Sequence, residues 1–229
     1  VYHFDEERYT TESPIKAYQQ RYHLALWVTG HRVEGNWAHP DEESSFFELK
    51  AHVENVLRRV GLQAGQVLTE VSDNNIFDKG LRMKTRGGKV LVDMGIVNHH
   101  VLRRFDIEQP VYYAEIDWTE LMKATRKNCL LFQELSKYPA VSRDLALLVD
   151  ANVEFAQIEQ IARQTEKKLL KQVVLFDVYQ GKNLPEGKKS YAVNFILQDE
   201  SRTLTDKAIE AIMQKLMKNL TTKLHAELR

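Results

Sequence analysis

Short runs of alternating apolar and polar residues recur along this chain, with stretches of helical spacing between them. In the first half, Tyr22-His-Leu-Ala-Leu-Trp-Val-Thr-Gly30 predicts a strand closed by glycine, and the opening Val1-Tyr2-His3-Phe4 reads as a strand too. A polar segment covers residues 31–44. Phe47, Leu49, Val53, Val56, Leu57 and Val60 then recur at helical spacing. They predict a helix with one apolar face, Ser44 or Ser45 as its N-cap and Gly61 as its stop. Residues 81–85 alternate, Arg86-Gly87-Gly88-Lys89 turns, and residues 90–97 return, which is the pattern of a β-hairpin. A short helix is predicted over 99–105 and a strand over 110–117, with Asp117 capping a helix through Leu121 and Met122. The first half is therefore mixed, with antiparallel strands and few helices.

The pattern changes after Ser136-Lys-Tyr-Pro139, where a boundary is predicted between residues 1–135 and 136–229. Residues 143–150 alternate as a strand, and a helix follows with Phe155, Ile158, Ile161, Ala162 and Leu169 on one stripe. Two strands come next, over 170–180 and 190–198, joined by the breaker-rich loop Gly181-Lys-Asn-Leu-Pro-Glu-Gly187. Thr205 caps a long helix whose buried face is Ile209, Ile212, Leu216, Leu220 and Leu224, and residues 226–229 close as a short strand. The order β-α-β-β-α-β is that of a ferredoxin-like domain, a four-stranded antiparallel sheet with both helices on one face. The whole chain is thus expected to be α+β.

Side-chain parity sorts the two faces of that sheet. Leu145, Leu147, Val149, Val174, Phe176, Val178, Tyr191, Val193, Phe195, Leu197 and Leu228 are expected to meet the helices. Asp177, Tyr179, Ser190, Ala192, Asn194 and Arg229 then fall on the open face. A phenol, an acid, a hydroxyl and a guanidinium on one sheet face suit an unpaired nucleotide, because the ring can stack and the polar groups can bond base edges and phosphate. The same face would also serve as a solvated surface or as a packing surface for the first half, and parity leaves the three open.

Composition narrows the field. With 43% apolar and 28% charged residues the chain is an ordinary globular one, and no apolar run approaches a membrane span. No signal peptide is recognisable, and a cytoplasmic location is expected; Cys129 is alone, forms no internal disulfide, and reads as a packing residue. The formal net charge is zero, yet residues 136–229 hold 15 basic and 12 acidic groups, an excess of +3 that permits a phosphate-bearing partner. The adjacent His99 and His100 have no third ligand at metal spacing, and His31 and His39 read as loop residues. No glycine-rich phosphate loop, nucleophile elbow or HExxH motif is present, so neither catalytic nor metal-ligating residues are assigned. An acylphosphatase-like enzyme needs a glycine-bearing loop after its first strand, and Asp150-Ala-Asn-Val lacks one.

KYPAVSRDLALLVD, LFDVYQGKNLPEGKKSYAVNF and Asp199-Glu-Ser-Arg-Thr-Leu-Thr-Asp206 strongly resemble the ferredoxin-like anticodon-binding domain of the bacterial phenylalanyl-tRNA synthetase beta subunit family. YHLALWVTGHR, SSFFELKAHVENVL, KVLVDMGIVNHHVLRRFDI and PVYYAEIDWTELM resemble the region before it, so the likeness covers nearly the whole chain. The resemblance implies a C-terminal fragment of that subunit. It implies an α2β2 enzyme that joins phenylalanine to its tRNA with ATP and magnesium, its active site in the alpha subunit. Residues 1–135 would be part of a class II synthetase-like scaffold that has lost catalysis, in keeping with the absence of a glycine-rich, arginine-terminated class II motif. The editing site and magnesium carboxylates of the family would lie outside this chain. Aligned on the family's anticodon contacts, Asp177 would accept from a base edge and Tyr179 would stack. Ser190 would donate through its hydroxyl, and Arg229 would donate to phosphate or base. The alternative is a stand-alone ferredoxin-like module that docks protein or a small regulatory ligand.

Overall fold

The computed structural model describes residues 1–62, 64–128, 132 and 134–228, so Cys129 and Arg229 lie outside the described residues. The chain forms two compact units, Val1–Leu131 and Phe132–Arg229.

The first unit opens with two short strands, β1 (Tyr2–Phe4) and β2 (Tyr18–Gln20), which pair with each other, and a second small pair, β4 (His31–Val33) with β5 (Glu42–Glu43), follows β3 (His23–Thr29). Helix α1 (Phe46–Arg59) starts where Ser45 accepts a hydrogen bond from the Glu48 amide, and Gly61 beyond its end takes the left-handed φ of +85°. The chain continues through β6 (Val67–Val71), β7 (Phe77–Thr85), β8 (Val90–Val97), α2 (His99–Arg103), β9 (Val111–Asp117) and α3 (Trp118–Thr125), the last capped by Asp117 as its spacing predicts. Among the described residues, five strands form an antiparallel sheet in the order β3-β9-β8-β7-β6.

One face of this sheet carries the core. Leu49, Val53 and Leu57 of α1 and Leu121 of α3 pack on Met83, Met94, Ala114 and Ile116. Phe47 does not join them; it is 78% exposed, and the helical turn places its neighbour Phe46 against the core instead. The other face carries charge. Arg82 donates to Asp93 at 3.1 Å and pairs with Asp73 at 2.5 Å, while Lys84 pairs with Glu70. The hydrogen bond to Asp93 holds the Arg82 guanidinium above its ordinary pKa. Trp27 stacks on its cross-strand partner Tyr113 at 4.1 Å. Gly95 lies beneath Phe77 with no room above it: a Cβ there would stand 2.5 Å from the Lys79 carbonyl oxygen and 2.6 Å from the Phe77 ring.

The second unit has the predicted order: β10 (Val141–Asp150), α4 (Phe155–Thr165), β11 (Leu170–Tyr179), β12 (Lys188–Leu197), α5 (Asp206–Leu224) and β13 (Glu227–Leu228). Its sheet runs β11-β12-β10-β13 with antiparallel pairing throughout, the ferredoxin-like arrangement. Ile158, Ile161 and Ala162 of α4 and Ile209, Ile212, Leu216 and Leu220 of α5 close over Leu147, Val149, Val193, Phe195 and Leu197. Thr205 caps α5 by accepting from the Ala208 amide. Tyr191 sits in this core at no polar cost, because its hydroxyl donates to the Val153 carbonyl at 3.1 Å.

Parity fails at two places. Strand β11 has a register shift between Leu175 and Asp177, so Phe176 is an extra residue with no partner on β12. Before this bulge the helix-facing residues are Val173 and Leu175, not Val174, and Phe176 is 57% exposed. Beyond it Val178 pairs with the core residue Tyr191 as expected, but it remains 49% exposed. Leu228 likewise pairs with Leu147 and is 60% exposed. Among the described residues both belong to the strands at the two edges of the sheet, where each strand has a neighbour on one side only. Leu169 is packed against the core from beyond the end of α4, which stops at Thr165.

Candidate nucleic-acid interface

The sheet face away from α4 and α5 is built by strand register. Tyr179 of β11 lies directly opposite Ser190 of β12, and Ser190 lies opposite Leu148 of β10. One step along, Asp177, Ala192 and Ala146 form the next row, and Val174, Asn194 and Asp144 the row after that. Directly opposed residues point to the same side of a sheet, so Asp177, Tyr179 and Ser190 share one surface. The bulge extends this face back along β11: it shifts the strand by one residue, so Val174 and Asp177, which differ in parity, meet the same face.

The three side chains differ in access. Asp177 is exposed, and Tyr179 keeps 36% of its surface in solvent. Ser190 is only 6% exposed, set down between Tyr179 and Leu148 in the row they share. Arg229, the fourth expected contact, lies outside the described residues. The row of Ala192 and Ala146 gives the middle of the surface a low floor. Beyond it Asn194 donates to Ser142 and, at 2.5 Å, to Asp144, so the far end of the face is polar and internally bonded.

At the near end, Lys188 donates to Glu227 at 2.5 Å. That hydrogen bond is the chief cause of a raised Lys188 pKa, with Asp150 adding attraction. Lys188 pairs across β10 at Asp150, while Glu227 stands opposite Leu148, so the ion pair spans β10 and ties the two-residue strand β13 to β12. Reading β10 by parity finds Asp144, Ala146 and Leu148 on this face, since Leu145, Leu147 and Val149 face inward. The Lys188–Glu227 pair has no such signal: it depends on where a two-residue strand docks.

The loop between β11 and β12 is made of two turns. The Leu184 amide donates to the Gly181 carbonyl at 3.1 Å and the Lys188 amide to the Pro185 carbonyl at 3.1 Å. Gly187 takes a φ of +77° and its carbonyl accepts from the Ala151 amide at 2.8 Å, fastening the loop to the end of β10. The next connection, from β12 to α5, is fixed by Asp199. Its carboxylate accepts from the Ser201 hydroxyl at 2.6 Å, the Ser201 amide at 2.9 Å and Arg202 Nε at 3.2 Å. The Ser201 bonds, and then Arg202, hold its pKa down at about 2.

The arrangement offers a ring, an exposed carboxylate and hydrogen-bonding groups on a shallow surface rather than a reaction pocket. The acids that converge in the first unit, Asp73 and Asp93, are both engaged by Arg82, and among the described residues no three His, Cys, Asp or Glu side chains come together. These groups do not fit a resident magnesium ion. His99 and His100 open α2 with their rings 3.8 Å apart and the His100 amide donating to the Asn98 side chain. Among the described residues no helix is long and apolar enough to cross a membrane.

Comparison with known proteins meets this geometry from another direction. Residues 136–229 match the ferredoxin-fold anticodon binding domain, and residues 4–118 match the phenylalanyl tRNA synthetase beta chain CLM domain. The chain is 54% identical over 228 residues to the phenylalanine–tRNA ligase beta subunit of Bacteroides thetaiotaomicron, covering 100% of this chain and 28% of that protein. It is 50% identical over 228 residues to the Porphyromonas gingivalis subunit of the same description, again covering 28% of it. Over 211 residues it is 36% identical to that of Syntrophotalea carbinolica, covering 92% of this chain and 26% of the relative. The chain thus spans just over a quarter of the length of these relatives.

Proposed function

Because this chain belongs to the phenylalanyl-tRNA synthetase beta-chain family, we propose that it supplies the tRNA-binding and scaffold part of a phenylalanine–tRNA ligase. Residues 136–229 read the anticodon on the open sheet face, and residues 1–135 form a noncatalytic scaffold. The partners are phenylalanine tRNA and an alpha subunit that carries the active site in an α2β2 enzyme of the cytoplasm. ATP and magnesium serve the ligation there, and no step of that chemistry passes through the residues of this chain. The observation that carries the reading is the row formed by Tyr179 and Ser190 beside Asp177 on one sheet face, within the segment that matches the anticodon-binding domain.

The physical division of work follows from exposure. A tyrosine with about a third of its surface in solvent on an open sheet face gives a nucleobase a stacking surface, worth roughly 1–3 kcal/mol. Asp177 accepts from a base edge, and Ser190 confines its hydroxyl to a donor that reaches only a base pressed close to the sheet. Arg229 would add a donor to phosphate or base. The test uses the full-length beta subunit assembled with its alpha subunit. Tyr179→Ala should weaken tRNA binding by roughly 5- to 150-fold, that stacking energy expressed as affinity. ATP–pyrophosphate exchange with phenylalanine, which needs no tRNA, should be unchanged. Raising salt should weaken binding in both proteins. Tyr179→Ala binding tRNA as the wild type does would remove the stacking role, and with it the main support for this reading over a protein-docking module.

A further inference from the structure

We propose that Gly181 is a positioning residue for Tyr179: having no side chain, it lets the tyrosine ring lie across the start of the β11–β12 loop in the posture used for stacking. The inference rests on the anticodon reading above. A Cβ built on Gly181 would stand 2.6 Å from Tyr179 Oη, 2.7 Å from Cζ and 3.2 Å from Cε2. All three nearest atoms belong to that one ring, so the space that Gly181 leaves empty is occupied by Tyr179. Backbone freedom is not the reason for the glycine. The glycines with positive φ are Gly30, Gly61, Gly88 and Gly187, and Gly181 is not among them, so alanine can take its backbone conformation.

The place of Gly181 fits the role. It comes two residues after Tyr179, at the second position of the loop, and its carbonyl is held by the Leu184 amide. The turn therefore holds the α-carbon under the ring as a fixed shelf. Tyr179 stands at the end of β11, an edge strand among the described residues, with Ser190 opposite it on β12. An aromatic side chain there has rotamers to lose on binding a base, and ordering it beforehand removes that cost. Alanine at 181 would force the ring off the shelf, leaving the strand register and the core untouched.

The experiment is a double-mutant cycle in the full-length beta subunit assembled with its alpha subunit, comparing wild type, Tyr179→Ala, Gly181→Ala and the double variant for tRNA binding. Gly181→Ala should weaken binding by roughly 2- to 13-fold, the affinity equivalent of immobilising one side chain. The double variant should bind as Tyr179→Ala alone does, because without the ring the shelf has nothing to position. NMR of ring-labelled tyrosine should show the Tyr179 resonances, assigned with Tyr179→Phe, shifting in Gly181→Ala at an unchanged melting temperature. The proposal is overturned if Gly181→Ala binds normally while Tyr179→Ala does not, if the two losses multiply, or if the Tyr179 resonances stay put. Normal binding by Tyr179→Ala would instead overturn the stacking role itself, whatever Gly181→Ala does.

Discussion

Single residues in this protein are constrained by what lies within a few ångströms of them. Gly95 is the firmest case, since a methyl group there meets a backbone carbonyl and a packed ring. Gly95→Ala should cost about 1–3 kcal/mol, the usual penalty of overpacking, and a lowered urea midpoint will show it. Asp199 should make its mark through pH. Its folded pKa of about 2 lies below the ordinary aspartate value of about 3.9, so its contribution to stability is complete above that value and disappears as pH falls through about 2. The difference in urea midpoint between wild type and Asp199→Asn should therefore be constant from pH 7 to 5 and shrink between pH 4 and 2. Neither effect was legible in the sequence. Gly95 sits in an ordinary strand pattern, and its crowding comes from Phe77 and Lys79 on a neighbouring strand. The parity that placed Asp177, Tyr179 and Ser190 together could not show that Ser190 is buried while Tyr179 stays in solvent, because burial depends on neighbours from two other strands.

Elements were more legible where local chemistry marks their ends. Ser45, Asp117 and Thr205 each cap the helix that spacing predicts. Removing the last cap by Thr205→Ala should cost about 1 kcal/mol in chemical denaturation, since one amide of the first turn of α5 loses its acceptor. The strands β10, β11 and β12 and their order also follow from alternation and turn residues. What alternation cannot reveal is a change of phase within a strand. Val174 and Phe176 look as inward as Val178, and only pairing with β12 shows the shift that turns the first two away from the core. The short strands β2, β4, β5 and β6 left weaker traces, because strands of two to five residues with mostly exposed side chains carry little hydrophobic pattern.

For the molecule as a whole, each unit has a core closed on its own residues. The clusters of the first unit draw on residues between Leu24 and Ala124 with their partly buried neighbours, and that of the second on residues between Val141 and Ala226. Residues 136–229 expressed alone should therefore fold, giving dispersed amide resonances and one cooperative unfolding transition; a collapsed, undispersed spectrum would count against it. The sequence pattern changes near Pro139, and the two compact units are Val1–Leu131 and Phe132–Arg229. The mutual placement of the ring, acid and hydroxyl follows from parity and the fold order, while the bulge decides which earlier residues of β11 join them. That bulge has one more consequence. Without Phe176, residues 173, 174, 175, 177, 178 and 179 would alternate inward and outward without interruption, and Asp177 and Tyr179 would keep their side of the sheet. Deleting Phe176 should thus be tolerated where deleting Val178 inverts the strand end. The bulge is a slack link, a point at which the chain can shorten by one residue and still deliver the same side chains to the same surface.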